Sequence, residues 1–117
     1  MEFIVYNKCG SCLKAKKYLM GKGVDFTIRE ITEEPLTLSE LEDIHEAGNI
    51  PISRLLNITG GLYRELGMKD RLKSMADQEV LRLLSENPML VKRPIARLED
   101  GRVLIGFDEK EWEKVFG

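Results

Sequence analysis

The sequence predicts an α/β fold with a mixed four-stranded sheet, interrupted by a long helical insertion. Three observations carry this. Phe3-Ile4-Val5-Tyr6 and the alternating Val24, Phe26 and Ile28 are strand patterns on either side of a helical stretch. Residues from about 36 to 88 show helical spacing and no strand pattern. Ile95-Ala96-Arg97-Leu98 and Val103-Leu104-Ile105 then read as a hairpin that leads into a last helix. The order is βαβ, helices, ββα.

In the first unit, Phe3 to Tyr6 is a β-branched and aromatic run that suits a buried strand. Leu13 to Met20 follows as a helix, with Ala15, Tyr18 and Leu19 on one face and Lys14 and Lys17 on the other. Gly21 and Gly23 end it. Val24, Phe26 and Ile28 alternate with Asp25, Thr27 and Arg29, which predicts a strand with one buried face. The short links suit a parallel right-handed crossover.

The insertion opens after the breaker Thr32-Glu33-Glu34-Pro35. Thr37 and Glu40 have capping-box spacing, with Leu38, Leu41 and Ile44 inside. Pro51 suits the first turn of a short helix carrying Leu55 and Leu56. Gly60-Gly61 interrupts before another short helix, Leu62 to Gly67. Asp77 is placed to cap a helix through Val80, Leu81, Leu83 and Leu84 that stops before Asn87-Pro88. After the hairpin turn Glu99-Asp100-Gly101-Arg102, Asp108 and Glu111 repeat the capping-box spacing, and Trp112, Val115 and Phe116 form the inner face of the closing helix. There is no repeat, low-complexity tract or linker, so residues 1–117 are expected to form one domain.

Composition narrows the function classes. With 117 residues, 43% of them hydrophobic, the chain is long enough for a real core. Its 18 basic and 20 acidic side chains leave a formal net charge of −2, which argues against direct nucleic-acid binding through phosphate neutralisation. No apolar run approaches a membrane span, and Met1 to Tyr6 is too short and too acidic for a signal peptide. A soluble, cytoplasmic protein is the expectation, and in that compartment lasting disulfides are rare.

Both cysteines nevertheless stand together, in Asn7-Lys8-Cys9-Gly10-Ser11-Cys12, at the predicted strand-to-helix junction. A sulfur just before the first helical turn faces unpaired backbone N–H groups and the positive end of the helix dipole, which favour the thiolate. Cys9 is therefore the expected nucleophile. Cys12, one turn further in and more buried, is the expected resolving thiol, and the two would form a redox-active disulfide. Lys8 can add positive charge, and Ser11 can donate to a thiolate or bound oxyanion. Half of a zinc site is an alternative, but zinc requires a full tetrahedral set and His45 is the only histidine. A carboxylate or a second chain would have to complete it. Two inert core thiols are the other alternative. His45, among Glu42, Asp43 and Glu46, reads as a solvated residue rather than a base, and Trp112 as core.

A C-x-x-C between the first strand and helix, with a later ββα unit, resembles the thioredoxin fold. In that fold a cis-proline opens the third strand and faces the cysteines, and Pro94 occupies the matching place. Leu56 to Gly67 and Asn87-Pro88-Met89-Leu90-Val91-Lys92-Arg93-Pro94-Ile95 narrow the match, over essentially the whole chain, to the arsenate reductase-related family that includes ArsC and Spx. The chain's length and its ending, Gly106 to Trp112, look most like the short Spx/MgsR-like branch. The resemblance implies that Cys9 is the nucleophile and that Arg93 and Pro94 face it, Arg93 binding oxyanions or stabilising the thiolate. Arsenate reductases of this type use further arginines. Their register falls at Ser53, beside Arg54, and near Gly106, where no arginine stands, although Arg102 is close.

Two functions follow as expectations. One is a thiol-dependent reductase acting on a small thiol or oxyanion substrate, arsenate among the candidates. It would bind no cofactor or metal and would be restored by glutathione, glutaredoxin or thioredoxin. The other is an Spx-like regulator whose disulfide changes its affinity for the RNA polymerase α-subunit, without direct nucleic-acid or membrane contact.

Overall fold

The computed structural model describes residues 1–117. Strands β1 (Glu2–Val5), β2 (Thr27–Glu30), β3 (Ile95–Arg97) and β4 (Val103–Ile105) form one mixed sheet in the order β2-β1-β3-β4. β1 runs parallel to β2 and antiparallel to β3, and β3 and β4 make the expected hairpin. Helix α1 (Gly10–Gly21) makes the crossover between β1 and β2. The insertion holds α2 (Leu38–Glu46), α3 (Ile52–Leu55), α4 (Gly61–Glu65), α5 (Met68–Arg71), α6 (Asp77–Glu86) and a 3₁₀ turn at Pro88–Leu90. Helix α7 (Glu109–Phe116) closes the chain. No helix is long and apolar enough to cross a membrane.

Strand alternation divides the core. On one face, Phe3 and Ala96 are buried with Ala15 and Leu19 of α1 and Trp112 of α7. On the other, Ile4 and Ile95 are buried with Leu41, Ile44, Leu55, Val80 and Leu84 of the insertion. Adjacent residues such as Phe3 and Ile4 can both be fully buried because successive side chains leave opposite faces of a strand. The cysteine-bearing end of α1 is thus anchored to the centre of the sheet.

The helix boundaries follow local chemistry. The Thr37 hydroxyl accepts from the Glu40 amide at 3.1 Å, and the Glu40 carboxylate accepts from the Thr37 amide at 3.0 Å, completing the expected box. Asp77 is not the cap of α6. Ala76 takes that position, and its amide donates to Glu79 Oε1 at 3.1 Å, which leaves Asp77 in the first turn where its charge still favours the helix. Pro51 is likewise the N-cap of α3 rather than part of its first turn. At α7 the expected box does not form: Asp108 caps the helix by accepting from the Lys110 amide at 3.0 Å, one residue before Glu111, whose carboxylate lies 3.6 Å from Arg54.

Two further readings of the sequence need correction. The second strand spans Thr27–Glu30, and Ile28 is 47% exposed. Alternation identified a strand but not its place: β2 is an edge strand, and while Val24 and Phe26 pack against the core under α1, Ile28 does not. His45 is not simply solvated. It is half-buried, with Nδ1 2.6 Å from the Ile50 carbonyl oxygen, and so ties the end of α2 to the following turn.

A partly buried charge network joins the sheet to the insertion. Arg29 donates to both Glu40 oxygens at 2.6 and 2.9 Å and reaches Glu2 at 3.3 Å, while Arg97 lies 3.4 Å from Glu40. Hydrogen bonds from Arg29 hold the Glu40 carboxyl down at about 2, against an ordinary 4.5. A depressed carboxylate contributes its stability above the unfolded value and loses it as pH falls toward the folded value. Urea unfolding should therefore show stability lost between pH 4.5 and about 2. Glu40→Gln should lower stability at neutral pH by about 1–3 kcal/mol and flatten that acid dependence. An unchanged slope would contradict this assignment.

Candidate functional site

β1 delivers the chain to a tight turn in which the Cys9 amide donates to the Tyr6 carbonyl at 3.0 Å. Cys9 is extended, with φ −94° and ψ 118°, and forms the N-cap of α1. Its sulfur takes the role that a serine or aspartate oxygen fills at other helix starts, accepting from the Cys12 amide at 3.4 Å. The Cys9 sulfur thus stands at the N-terminal end of α1, against the amides of its first turn.

Cys12 differs in kind. It is buried, whereas Cys9 is partly exposed, and both thiols are free. Burial, reinforced by a hydrogen bond to Cys9, pushes the Cys12 thiol up to about 12. The Tyr6 backbone and the Arg93 charge act in the opposite direction, more weakly. One thiol is partly exposed at the helix start; the other is buried and kept neutral behind it.

Arg93 is near enough to Cys12 for its charge to act on that thiol, and Pro94 follows it at the start of β3. The Arg93–Pro94 peptide is cis. The guanidinium sits 5.1 Å from the centre of the Tyr6 ring and donates through Nη1 to the carbonyls of Val91 (2.9 Å) and Met89 (3.3 Å). Its Nε is buried without a partner. The Arg93 charge is thus fixed by Tyr6 and two backbone carbonyls, with its buried Nε unpartnered. Pro94 is buried, and its carbonyl accepts from the Gly106 amide at 2.8 Å, which joins the start of β3 to the end of β4.

The other expected residues divide clearly. Lys8 and Ser11 stand in the cysteine turn, but both are exposed and neither side chain makes a hydrogen bond or ion pair. Arg54 is directed to the Ile105 carbonyl (3.1 Å) and to Glu111, and Arg102 is paired with Asp100 at 2.8 Å within the hairpin turn. At Gly106 a positive φ of 69° makes any side chain strained, an arginine included. Of these arginines, Arg93 is the one whose charge acts on Cys12. Trp112 is core, its indole N–H donating to the Gly106 carbonyl at 3.0 Å. No group of three or more His, Cys, Asp or Glu side chains gathers as a metal site.

Tyr6 is the residue that sequence reasoning missed. It reads as the last residue of a strand, yet it caps the cysteine turn through its carbonyl and carries Arg93 on its ring. An aromatic residue just before a C-x-x-C turn is a weak signal that gains meaning only once Arg93 is placed opposite.

The model of the ArsC family matches residues 5–115, which include both cysteines, Arg93 and Pro94. The chain belongs to the ArsC family. It is 37% identical to YusI of Bacillus subtilis over 115 residues, covering 97% of this chain and 96% of YusI. The global transcriptional regulator Spx of the same organism is 29% identical over 103 residues, covering 88% of this chain and 76% of Spx. Among solved structures, an ArsC-family-related protein of Bacteroides fragilis superposes with a TM-score of 0.92 at 36% identity, covering 97% of this chain and 95% of that one. A Staphylococcus aureus protein solved by NMR gives 0.88 at 36% identity, with the same coverage. The arsenate reductase of Vibrio cholerae, at 20% identity and a TM-score of 0.72 over 98% of this chain and 95% of that one, shares the fold. These likenesses establish the thioredoxin-like α/β architecture of the ArsC family for this chain.

The thiol asymmetry has a direct chemical readout. At pH 8, limiting iodoacetamide should alkylate Cys9 in the folded protein and leave Cys12 unmodified until denaturant is added, as read by peptide mass spectrometry. In Cys9→Ser the Cys12 thiol should titrate below about 12 but stay above its ordinary value, because burial is the larger cause. Faster alkylation of Cys12 than of Cys9 would contradict the arrangement.

Proposed function

We propose that this ArsC-family chain is a thiol–disulfide reductase in which Cys9 is the nucleophile and Cys12 the resolving thiol. The observation that carries the reading is the pairing of a helix-capping, partly exposed Cys9 sulfur with a buried Cys12 whose thiol is held neutral.

The steps balance as follows. Cys9 thiolate attacks one sulfur of a mixed disulfide, forms a new S–S bond and releases the other half as a thiolate. Cys12 then loses its proton, attacks Cys9 Sγ, closes the Cys9–Cys12 disulfide and releases the second thiolate. Two electrons from glutathione, glutaredoxin or thioredoxin return the pair to the dithiol. Two of the causes that raise Cys12, its hydrogen bond to Cys9 and the Cys9 charge, exist only while Cys9 carries a free sulfur. Formation of the mixed disulfide removes both, so the resolving thiol becomes easier to ionise when it is needed.

Arg93 supplies a permanent charge beside the pair, and its unpartnered Nε is suited to an oxyanion or a developing thiolate. Lys8 and Ser11 are assigned lesser roles, as exposed groups lining the approach to Cys9. Arsenate ranks below a mixed disulfide as substrate. Arg54 and Arg102 are engaged elsewhere, so one guanidinium rather than several would have to hold a doubly charged anion.

A second reading rests on similarity to proteins named global transcriptional regulator Spx. In it, the same disulfide is a switch on affinity for the RNA polymerase α-subunit. Binding measured with the oxidised and reduced chain separates the two readings.

The test is NADPH consumption coupled through thioredoxin or glutaredoxin, with a glutathione mixed disulfide or arsenate as substrate. Cys9→Ser should abolish turnover, and Cys12→Ser should accumulate a Cys9 mixed disulfide. Arg93→Met should reduce kcat/KM by about 10- to 100-fold, in the range for loss of a charge-assisted contact. Full turnover in Cys9→Ser would overturn the mechanism.

A further inference from the structure

Charge in this chain is segregated by position. Residues 3–24 hold five lysines and no acidic side chain, and residues 87–98 hold Lys92, Arg93 and Arg97 and again none. All 20 acidic residues fall elsewhere, so a chain of net charge −2 carries a basic region around its thiol pair. Arg97 is paired with Glu2 and Glu40, and Lys92 and Arg93 are half-buried. The free part of this charge lies on α1, where Lys14, Lys16 and Lys17 are exposed. Of the five lysines only Lys22 has an ionic partner, Glu113 at 3.0 Å.

The same helix exposes apolar surface. Leu13 is 55% exposed and Met20 63%, two of the four large hydrophobic side chains that the whole chain leaves open. Leu13, Lys17 and Met20 are spaced by four and three residues and share one stripe, turned away from Ala15 and Leu19, with Lys14 beside it. Single exposed hydrophobic residues are ordinary. Two of them on one stripe rimmed by unpaired lysines have the layout of an interface, with an apolar centre and a charged rim.

We propose that this outward stripe of α1 docks an acidic segment of a partner protein. Leu13 and Met20 are its apolar anchors, and Lys14 and Lys17 meet the partner's carboxylates. At helical rise the face runs roughly 16 Å from Cys9 to Met20, further than a small anion spans. A bilayer or a nucleic-acid duplex is broader than the helix and would meet acid on both flanks. Glu113, held by Tyr18 and Lys22, stands on one flank, and Glu30 and Glu33 on the other. A segment about as wide as one helix fits between them and ends at the Cys9 turn. The docking face does not depend on the redox reading, because neither thiol takes part in the contact.

The test is titration of the peptide acetyl-Glu-Glu-Leu-Glu-Ala-Glu-Glu-Ala-Glu-Leu-Glu-Glu-amide into isotope-labelled, reduced, full-length protein, followed by NMR. Saturable amide shifts are expected along Leu13, Lys14, Lys17 and Met20, and binding should weaken as salt rises. Lys14→Glu/Lys17→Glu should weaken binding about tenfold, as for reversal of two exposed charges. Leu13→Ser/Met20→Ser should weaken it by a similar factor, as should glutamine in place of every glutamate of the peptide. Absence of saturable shifts, shifts centred away from α1, or equal binding of the glutamine peptide would each overturn the proposal. So would undiminished binding by a folded Lys14→Glu/Lys17→Glu. Tighter binding of phosphatidylglycerol vesicles through the same residues would overturn it in favour of a lipid surface.

Discussion

The contact between the Cys12 amide and the Cys9 sulfur links fold and chemistry in this chain. A helix start has N–H groups that its own backbone cannot satisfy, and here a sulfur accepts one of them. That bond requires Cys9 to be extended and α1 to begin at Gly10, and α1 in turn is held by Ala15 and Leu19 against Phe3, Ala96 and Trp112. The thiol pair is therefore positioned by the buried centre of the sheet rather than by a mobile loop. Its asymmetry follows from the same geometry, since the residue one turn into the helix faces the core.

The opposite wall is built by the second half of the chain. The Pro94 carbonyl is tied to the Gly106 amide, the Gly106 carbonyl to the Trp112 indole, and Arg93 to the Tyr6 ring. Each link joins a strand end to the next element, so the charge beside the thiols is fixed without touching the helix that carries them. The insertion packs on the other sheet face through Ile4 and Ile95 and leaves the cysteine end of α1 uncovered. This explains how a long helical excursion can be accommodated without closing the site.

Much of the architecture was legible because apolar spacing reports burial directly. Phe3 and Ile4, the Thr37–Glu40 box, the hairpin about Gly101 and the Trp112 face are local patterns with one reading each. The failures share a cause, which is that they depend on what lies across space. Alternation at Val24, Phe26 and Ile28 could not show that β2 is an edge strand on which Ile28 is left exposed. Asp77 is a good capping residue, but Glu79 satisfies the helix start one position earlier. The short helix Met68–Arg71, set off by Gly67 at φ 63°, carried too little periodic signal to be read. In the site, the cysteines announced themselves by spacing, whereas the contribution of Tyr6 needed Arg93 in place. Arg54 and Arg102 were considered by register; the structure pairs Arg54 with the Ile105 carbonyl and Arg102 with Asp100.

The central claim is that Cys9 and Cys12 act as one two-electron pair in the folded chain. It is tested most directly by equilibrating the protein with glutathione redox buffers and mapping disulfides by mass spectrometry at each ratio. The account predicts a single reversible transition from dithiol to an intramolecular Cys9–Cys12 disulfide, with the far-UV spectrum preserved at both ends. Glutathione on Cys9 should appear only as a minor species. A stable Cys9–glutathione adduct with Cys12 still reduced, or disulfides only between chains, would contradict it.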